Sequence, residues 1–515
     1  MESCKTLCRI LALPIFPNVP QSGFNNSGER ISFLFFLHVI SGLFVINGVF
    51  AAEQATSEES NIKNWVVVTV FVTIGLISLV ILLIAGCRNT LHTNRIPETK
   101  MSDPSLNLRI GFLWVFGLVV MIHVSLNFAT YIDCIQSYSL RGVHVTFLLT
   151  SNIILLLFLI IQITFVSYFQ HTCTSFTRGY IINFASMFVL VANFVIWYSV
   201  VVSKSTSLGM MKNDAESNQS NETYCFLTSK IQQKLSLNMT PYLFPSRMEF
   251  CILASSFIIT LRRWPMDYVR NEGSYTDYQV LHENIDDRNV PSPEKRNHIN
   301  GPHIFATVCG FVINMPTFFS AILLVFVSDW NQEALLLTIY TGESLSAVCS
   351  IAIVYICSYC LNKNFSNSWR HSKLTTNEYI LILTSSGMVT YFTIGILTNF
   401  SYPQNMKMYA CCRFLGLLEI FLQTYFFIRI RRYNLNGNHS ILISSCGIIL
   451  MLTNLIYWLL NSYKQNAFAE SREIFLVERE KWLYIENILV PLLTFYRFFS
   501  AMSAYSLYCK FKPNR

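Results

Sequence analysis

The chain has 515 residues, of which 52% are hydrophobic and only 13% charged, about half the ~25% charge of an ordinary soluble domain. Apolar runs near the ~20 residues that cross a bilayer as a helix recur along the whole length, which excludes a soluble enzyme domain. The formal net charge of +8 is scattered over short loops and forms no stripe, so it bears on membrane orientation and not on nucleic acid.

Residues 1–30 are short and weakly basic, with no signal-peptide apolar region, and form a cytosolic N-terminal segment. Six spans are predicted at about 31–51, 65–86, 110–131, 143–168, 180–203 and 242–264. They make an N-terminal six-helix half over 31–264. Pro265 to Pro302 is polar and reads as a cytosolic linker, 265–302. Six further spans follow at about 303–328, 335–361, 378–400, 408–428, 440–461 and 485–508, a C-terminal half over 303–508, before a cytosolic tail of 509–515. The fold class is therefore an all-α polytopic membrane protein of twelve helices.

With the N-terminus in the cytosol, and Arg262 and Arg263 at the inner end of span six counted on that side, cytosolic segments hold 23 Lys and Arg and the opposite side 11, leaving three within spans. This bias puts both termini inside. The loop after span five agrees, since it carries three sequons at Asn218, Asn221 and Asn238, and glycosylation requires exposure away from the cytosol. Most of the 15 cysteines lie in apolar runs and act as small hydrophobes. Cys134 and Cys225 fall in outside loops, where a bridge and two free thiols are equally compatible with the sequence.

The two halves share a pattern. Gln162 in span four is followed by Asn193 and Trp197 in span five, and Gln423 in span ten by Asn454 and Trp458 in span eleven, at the same spacings. An even number of spans separates the copies, so the expected repeats are parallel, related by an axis along the membrane normal.

Charged and titratable groups inside spans carry the chemistry. Glu249 stands inside span six, and an acidic group at the bilayer centre costs ~2.5–3.5 kcal/mol on insertion scales. At ~1.5 Å per residue, Glu249, Asn193 and Gln162 stand at successive depths. They form a ladder along which intervening water could carry a proton. Each amide alone also fits a packing hydrogen bond between helices. Gln423 and Asn454 are the equivalent pair in the second half. Arg497, Glu343, Glu419 and His123 are candidates for gating or structural charge; Arg497 requires a carboxylate or carbonyl partner. His38 and His123 are imidazoles within spans that could sense pH or sit hydrogen-bonded in the core. No His and Cys metal-ligand cluster, phosphate-binding glycine loop or catalytic triad is present in the sequence. The reading is a non-enzyme without cofactor or resident metal, and without a nucleic-acid partner.

On these residues the chain resembles the otopetrins, a family of twelve-span proton-selective channels. Leu108-Arg-Ile-Gly-Phe with Leu126-Asn-Phe-Ala-Thr-Tyr is similar to the family's third helix, Ala192-Asn-Phe-Val-Ile-Trp to its fifth, Tyr242-Leu-Phe-Pro-Ser-Arg-Met-Glu-Phe to its sixth and Pro491-Leu-Leu-Thr-Phe-Tyr-Arg-Phe-Phe-Ser to its twelfth. The resemblance implies a plasma-membrane homodimer in which each subunit has two six-helix barrel-like halves, opened by extracellular acid and blocked by zinc. It carries proton-path roles to Gln162, Asn193 and Glu249, and to Gln423 and Asn454. Two positions depart: Phe499 stands where the family motif has His, and Asn127 where many members have Glu. His144 is a lone outside imidazole for zinc. A secondary transporter of two six-span halves is the alternative, although the loop from Gly86 to Arg95 lacks the major facilitator pattern. A non-conducting regulatory relative is a further alternative. A membrane acyltransferase would need an intramembrane catalytic His, and neither His38 nor His123 has the supporting motif.

Overall fold

The computed structural model describes residues 31–43, 59–87, 105–138, 143–171, 180–213, 243, 245–261, 301–326, 332–363, 376–400, 407–431, 438–467 and 479–512. They form twelve helices in chain order: α1 (Ile31–Leu43), α2 (Glu59–Cys87), α3 (Leu106–Tyr138), α4 (Val143–His171), α5 (Tyr180–Asn213), α6 (245–261), α7 (Gly301–Phe326), α8 (Gln332–Lys363), α9 (Thr376–Phe400), α10 (Lys407–Ile430), α11 (Asn438–Ala467) and α12 (Arg479–Phe511). Nine of the described helices are long and apolar enough to cross a bilayer. Among the described residues no strand is present, and the protein is a helical, multi-pass membrane protein. Each helix coincides with one stretch expected from hydropathy. Asn218, Asn221, Asn238 and Cys225, and the side chains of Cys134 and His144, lie outside the described residues.

Large apolar side chains cover the outer faces, among them Ile181, Phe305, Val312, Tyr355 and Leu383, each more than 60% exposed. Such patches would be untenable in water and suit contact with lipid tails. Many spans carry Ser or Thr whose hydroxyls bond back to the carbonyl one turn earlier, as Thr69, Thr73, Thr164 and Thr384 do. This satisfies the hydroxyl without help from water.

In the first six helices α2 packs on α4 and α5, and α3 on α4; Phe35 of α1 lies against Phe184 and Phe188 of α5. In the last six α8 packs on α10 and α11, α9 on α10, and α7 on α11. Close approach depends on small residues. A Cβ at Gly75 of α2 would stand 2.6 Å from the Ala192 Cβ of α5. At Gly447 of α11 it would meet backbone atoms of Ala504 and Tyr508 in α12 at 3.2 Å. Backbone cannot swing aside as a flexible side chain can, so Gly447→Leu is expected to destabilise the fold by ~1–3 kcal/mol. The midpoint of thermal unfolding in detergent measures it, and an unchanged midpoint would refute the close contact.

The two sets of six meet along α3, α5 and α6 on one side and α9, α11 and α12 on the other. The buried Arg109 of α3 lies 5.7 Å from the ring of Phe257 in α6 and donates to Asn377 of α9 at 3.1 Å. Phe112 and Phe116 of α3 pack edge-on and tilted against Trp458 of α11 and Phe498 of α12, with centroids 5.0–5.8 Å apart. At one end of the last six, Lys510 donates to the Arg431 carbonyl after α10, and Ser440 of α11 donates to the Phe511 carbonyl. Burial, together with the neighbouring Arg431 charge, pushes the Lys510 amine down to about 8.

Candidate functional site

Three buried polar groupings stand inside the helices. The first belongs to α4 and α5. Gln162 and Asn193 are both fully buried. Phe158 of α4, one turn before Gln162, and Ala192 of α5, beside Asn193, converge on Gly75 of α2. The Asn193 amide nitrogen donates to the Val189 carbonyl at 3.0 Å. Its Oδ1, both polar atoms of Gln162 and the Trp197 indole nitrogen have no hydrogen-bond partner among the described residues. A buried amide left without partners costs ~1–3 kcal/mol, so this arrangement calls for water between the helices.

The second grouping closes the interface between the two sets of six. Glu249, 4% exposed, accepts from the Trp458 indole N–H at 2.6 Å and from the Ser462 hydroxyl at 3.2 Å. Trp458 and Ser462 stand four apart on one face of α11. Ser462 also donates back to the Trp458 carbonyl at 2.9 Å, so its proton serves either acceptor. Arg247, two residues from Glu249 and so on another face of α6, lies instead within electrostatic reach of His123 in α3 and Cys251. Glu249 thus joins α6 to α11, and no hydrogen bond links it to Asn193 or Gln162.

Replacement of Trp458 by Phe keeps a ring among Phe112, Phe116 and Phe498 and removes only the indole donor. In a double-mutant cycle with Glu249→Gln, the two changes are expected to couple by ~1 kcal/mol or more in unfolding free energy. Additivity would show that the 2.6 Å contact carries no weight.

The third grouping lies among α8, α10, α11 and α12. Arg497 donates through both terminal nitrogens to the two oxygens of Glu419, each at 2.9 Å, and also to Asn454 Oδ1 at 3.2 Å. This is the bidentate geometry that makes guanidinium and carboxylate pairs strong. The guanidinium carbon lies 5.1 Å from the centre of the Tyr457 ring, whose hydroxyl reaches the Gly342 carbonyl at 3.5 Å. Glu343 is half-buried and within electrostatic reach of the same hydroxyl. Asn454 donates to Leu450 at 2.8 Å, so both of its polar atoms are engaged. Gln423, one turn from Glu419 on α10, is fully buried and neither of its side-chain polar atoms has a partner among the described residues. Beside it Thr424 and Tyr496 share a hydrogen bond of 3.0 Å.

Next to this network Asn314 of α7 donates to Thr453 of α11 at 3.0 Å and accepts from Ser346 of α8 at 3.1 Å. Phe499 is buried against Phe495, centroids 5.4 Å apart, so no titratable group occupies that position. Asn127 is half-buried on α3. His38 is exposed and bonds the Leu34 carbonyl at 2.7 Å. Among the described residues no three His, Cys, Asp or Glu side chains gather in a metal-binding geometry.

The structure therefore brings Arg497, Glu419 and Asn454 together and leaves Gln162 and Gln423 each without protein partners among the described residues. Trp458 and Ser462 as partners of Glu249, and Tyr457 beneath Arg497, were missed by sequence reasoning. Trp458 drew notice only as a repeat marker, and Tyr457 carries no local signal beyond sharing a helical face with Asn454. No curated protein matches the chain. The otopetrin family profile, however, matches residues 203–498. With more than half of its length so matched, and with long apolar helices enclosing buried amides and carboxylates, the chain belongs to the otopetrin family.

Proposed function

We propose that this chain is a proton-selective channel of the plasma membrane, opened by extracellular acid, with twelve spans, both termini in the cytosol and two copies per assembly. Membership of a channel family supports conduction and argues against catalysis. The expected division into a six-helix half over 31–264, a linker and a second half over 303–508 has support in the matching neighbours: α2 with α4 and α5 against α8 with α10 and α11, and α3 with α4 against α9 with α10. Parallel repeats would produce that correspondence.

One observation carries the reading: Gln162 and Asn193 present buried amide atoms without a partner among the described residues, inside the first six helices. Water must satisfy them, and a file of water held by fixed amides passes protons by hopping while denying other cations a ligand cage. In the last six helices the Asn454 oxygen is already taken by Arg497, so that amide has no acceptor left for water. Gln423 with Asn454 is then the equivalent but closed path, and the first half conducts. The loss of the motif His at Phe499 agrees with a silent second half.

Glu249 acts as the gate. In this topology it stands near the outer end of α6, and in its ionised form the carboxylate strengthens the bonds from Trp458 and Ser462 that hold α6 against α11. Protonation from outside weakens both bonds and frees α6. A Glu249→Gln chain mimics the protonated state. In whole cells stepped from neutral to acid external solution, it is expected to conduct at neutral pH and to lose most of its acid activation. An unchanged acid threshold would remove Glu249 from gating.

A further inference from the structure

Arg247 and His123 form a polar pair that neither the water file nor the Glu249 gate uses. Arg247 is 7% exposed and His123 5%. The two stand on α6 and α3 within electrostatic reach of each other, and the Cys251 thiol lies within reach of Arg247. Three nitrogens, Nε and Nη2 of Arg247 and Nδ1 of His123, are buried without a hydrogen-bond partner among the described residues. A guanidinium is always charged, and an isolated buried charge is among the most costly arrangements a fold can hold. Arg497 shows the usual remedy in this same chain, a bidentate carboxylate. Arg247 has donors free where Arg497 has none left but Nε.

We propose that a small monovalent inorganic anion, chloride in ordinary solutions, binds between Arg247 of α6 and His123 of α3. The anion accepts from the guanidinium Nε–H and Nη2–H and from the imidazole N–H, and it returns the local charge to zero. In the proposed topology the N-terminal end of α6 faces outside, so the anion enters from the extracellular solution. The site does not depend on conduction. If the first six helices conduct, as the proton-channel reading holds, the bound anion also lowers the electrostatic barrier that Arg247 would place beside the path.

The test is equilibrium binding of radioactive chloride to the purified full chain in detergent, with sodium gluconate holding ionic strength constant. Saturable binding near one ion per chain is expected, displaced by bromide and not by gluconate. The Arg247→Gln chain is expected to lose it, and Arg247→Lys to retain weakened binding. Thermal unfolding supplies the second readout: chloride raises the midpoint of the wild type above that in gluconate, and does so much less for Arg247→Gln. Absence of saturable chloride binding to the wild type overturns the proposal whatever the variants do. Equal binding by wild type and Arg247→Gln overturns it as well. A protein that binds chloride without passing protons would overturn the channel reading and leave this site standing.

Discussion

Arg497→Met is expected to destabilise the protein severely, by ~3–5 kcal/mol, because it strands the buried Glu419 carboxylate without its partner. Glu419 is 2% exposed and takes both of its described strong donors from Arg497. The change also leaves Asn454 Oδ1 without its donor and removes the cation above the Tyr457 ring. Loss of the folded monodisperse peak on size exclusion, or a steep fall in the unfolding midpoint, measures the effect. The double replacement Arg497→Met with Glu419→Leu is expected to recover most of the stability, since two apolar side chains need no compensation. If the single variant is as stable as the wild type, the ion pair is not the anchor of the last six helices. If the double variant is as damaged as the single one, packing and not charge is the cause.

The second large effect separates the two readings of a buried amide. For a packing role, Gln162→Leu and Asn193→Leu should loosen the helices and leave any current in proportion to the protein that folds. For a water-holding role the result is the opposite. Gln162 has no hydrogen bond to lose among the described residues, so Leu is expected to leave stability unchanged or raise it. The current per folded channel should fall, because each deleted ligand removes ~1–1.5 kcal/mol of support for the hydrated proton, which is about tenfold in rate. The double variant in the first half should therefore silence the channel, while Gln423→Leu in the second half should change the current little. Surface labelling beside whole-cell current decides between them, and a current that follows surface protein through all four variants would end the water-file argument.

The helices were legible in the sequence because the bilayer leaves few choices: a chain in lipid must satisfy its backbone internally, and apolar runs of spanning length do so as helices. Each of the twelve runs overlaps a described helix, nine of them long and apolar enough to span, and Glu249, Glu419, Gln162, Asn193, Gln423 and Asn454 are buried, as the rarity of such groups in lipid demands. Arg497 announced its need for a partner, yet nothing local named Glu419, which lies 78 positions away. Glu249 was legible as an interior carboxylate, but the ladder joining it to Asn193 and Gln162 came from depth alone. Depth fixes height in the membrane and says nothing of rotation about the helix axis. The rotation of α6 turns Glu249 toward Trp458 and Ser462 of α11 and leaves Arg247 to face α3. Such information is non-local. It resides in contacts between helices far apart in sequence, such as Glu249 with Trp458 209 positions away, and composition or spacing along one helix cannot supply it.

The most direct measurement of proton selectivity is the reversal potential of the acid-evoked current in cells expressing this chain, with large impermeant ions replacing sodium, potassium and chloride. A proton channel shifts its reversal by about 59 mV for each tenfold change in the proton gradient, at every external pH tested. That shift is the predicted result. A current whose reversal ignores the proton gradient, or surface-expressed protein that passes no current in acid, would contradict proton conduction by this member of the family.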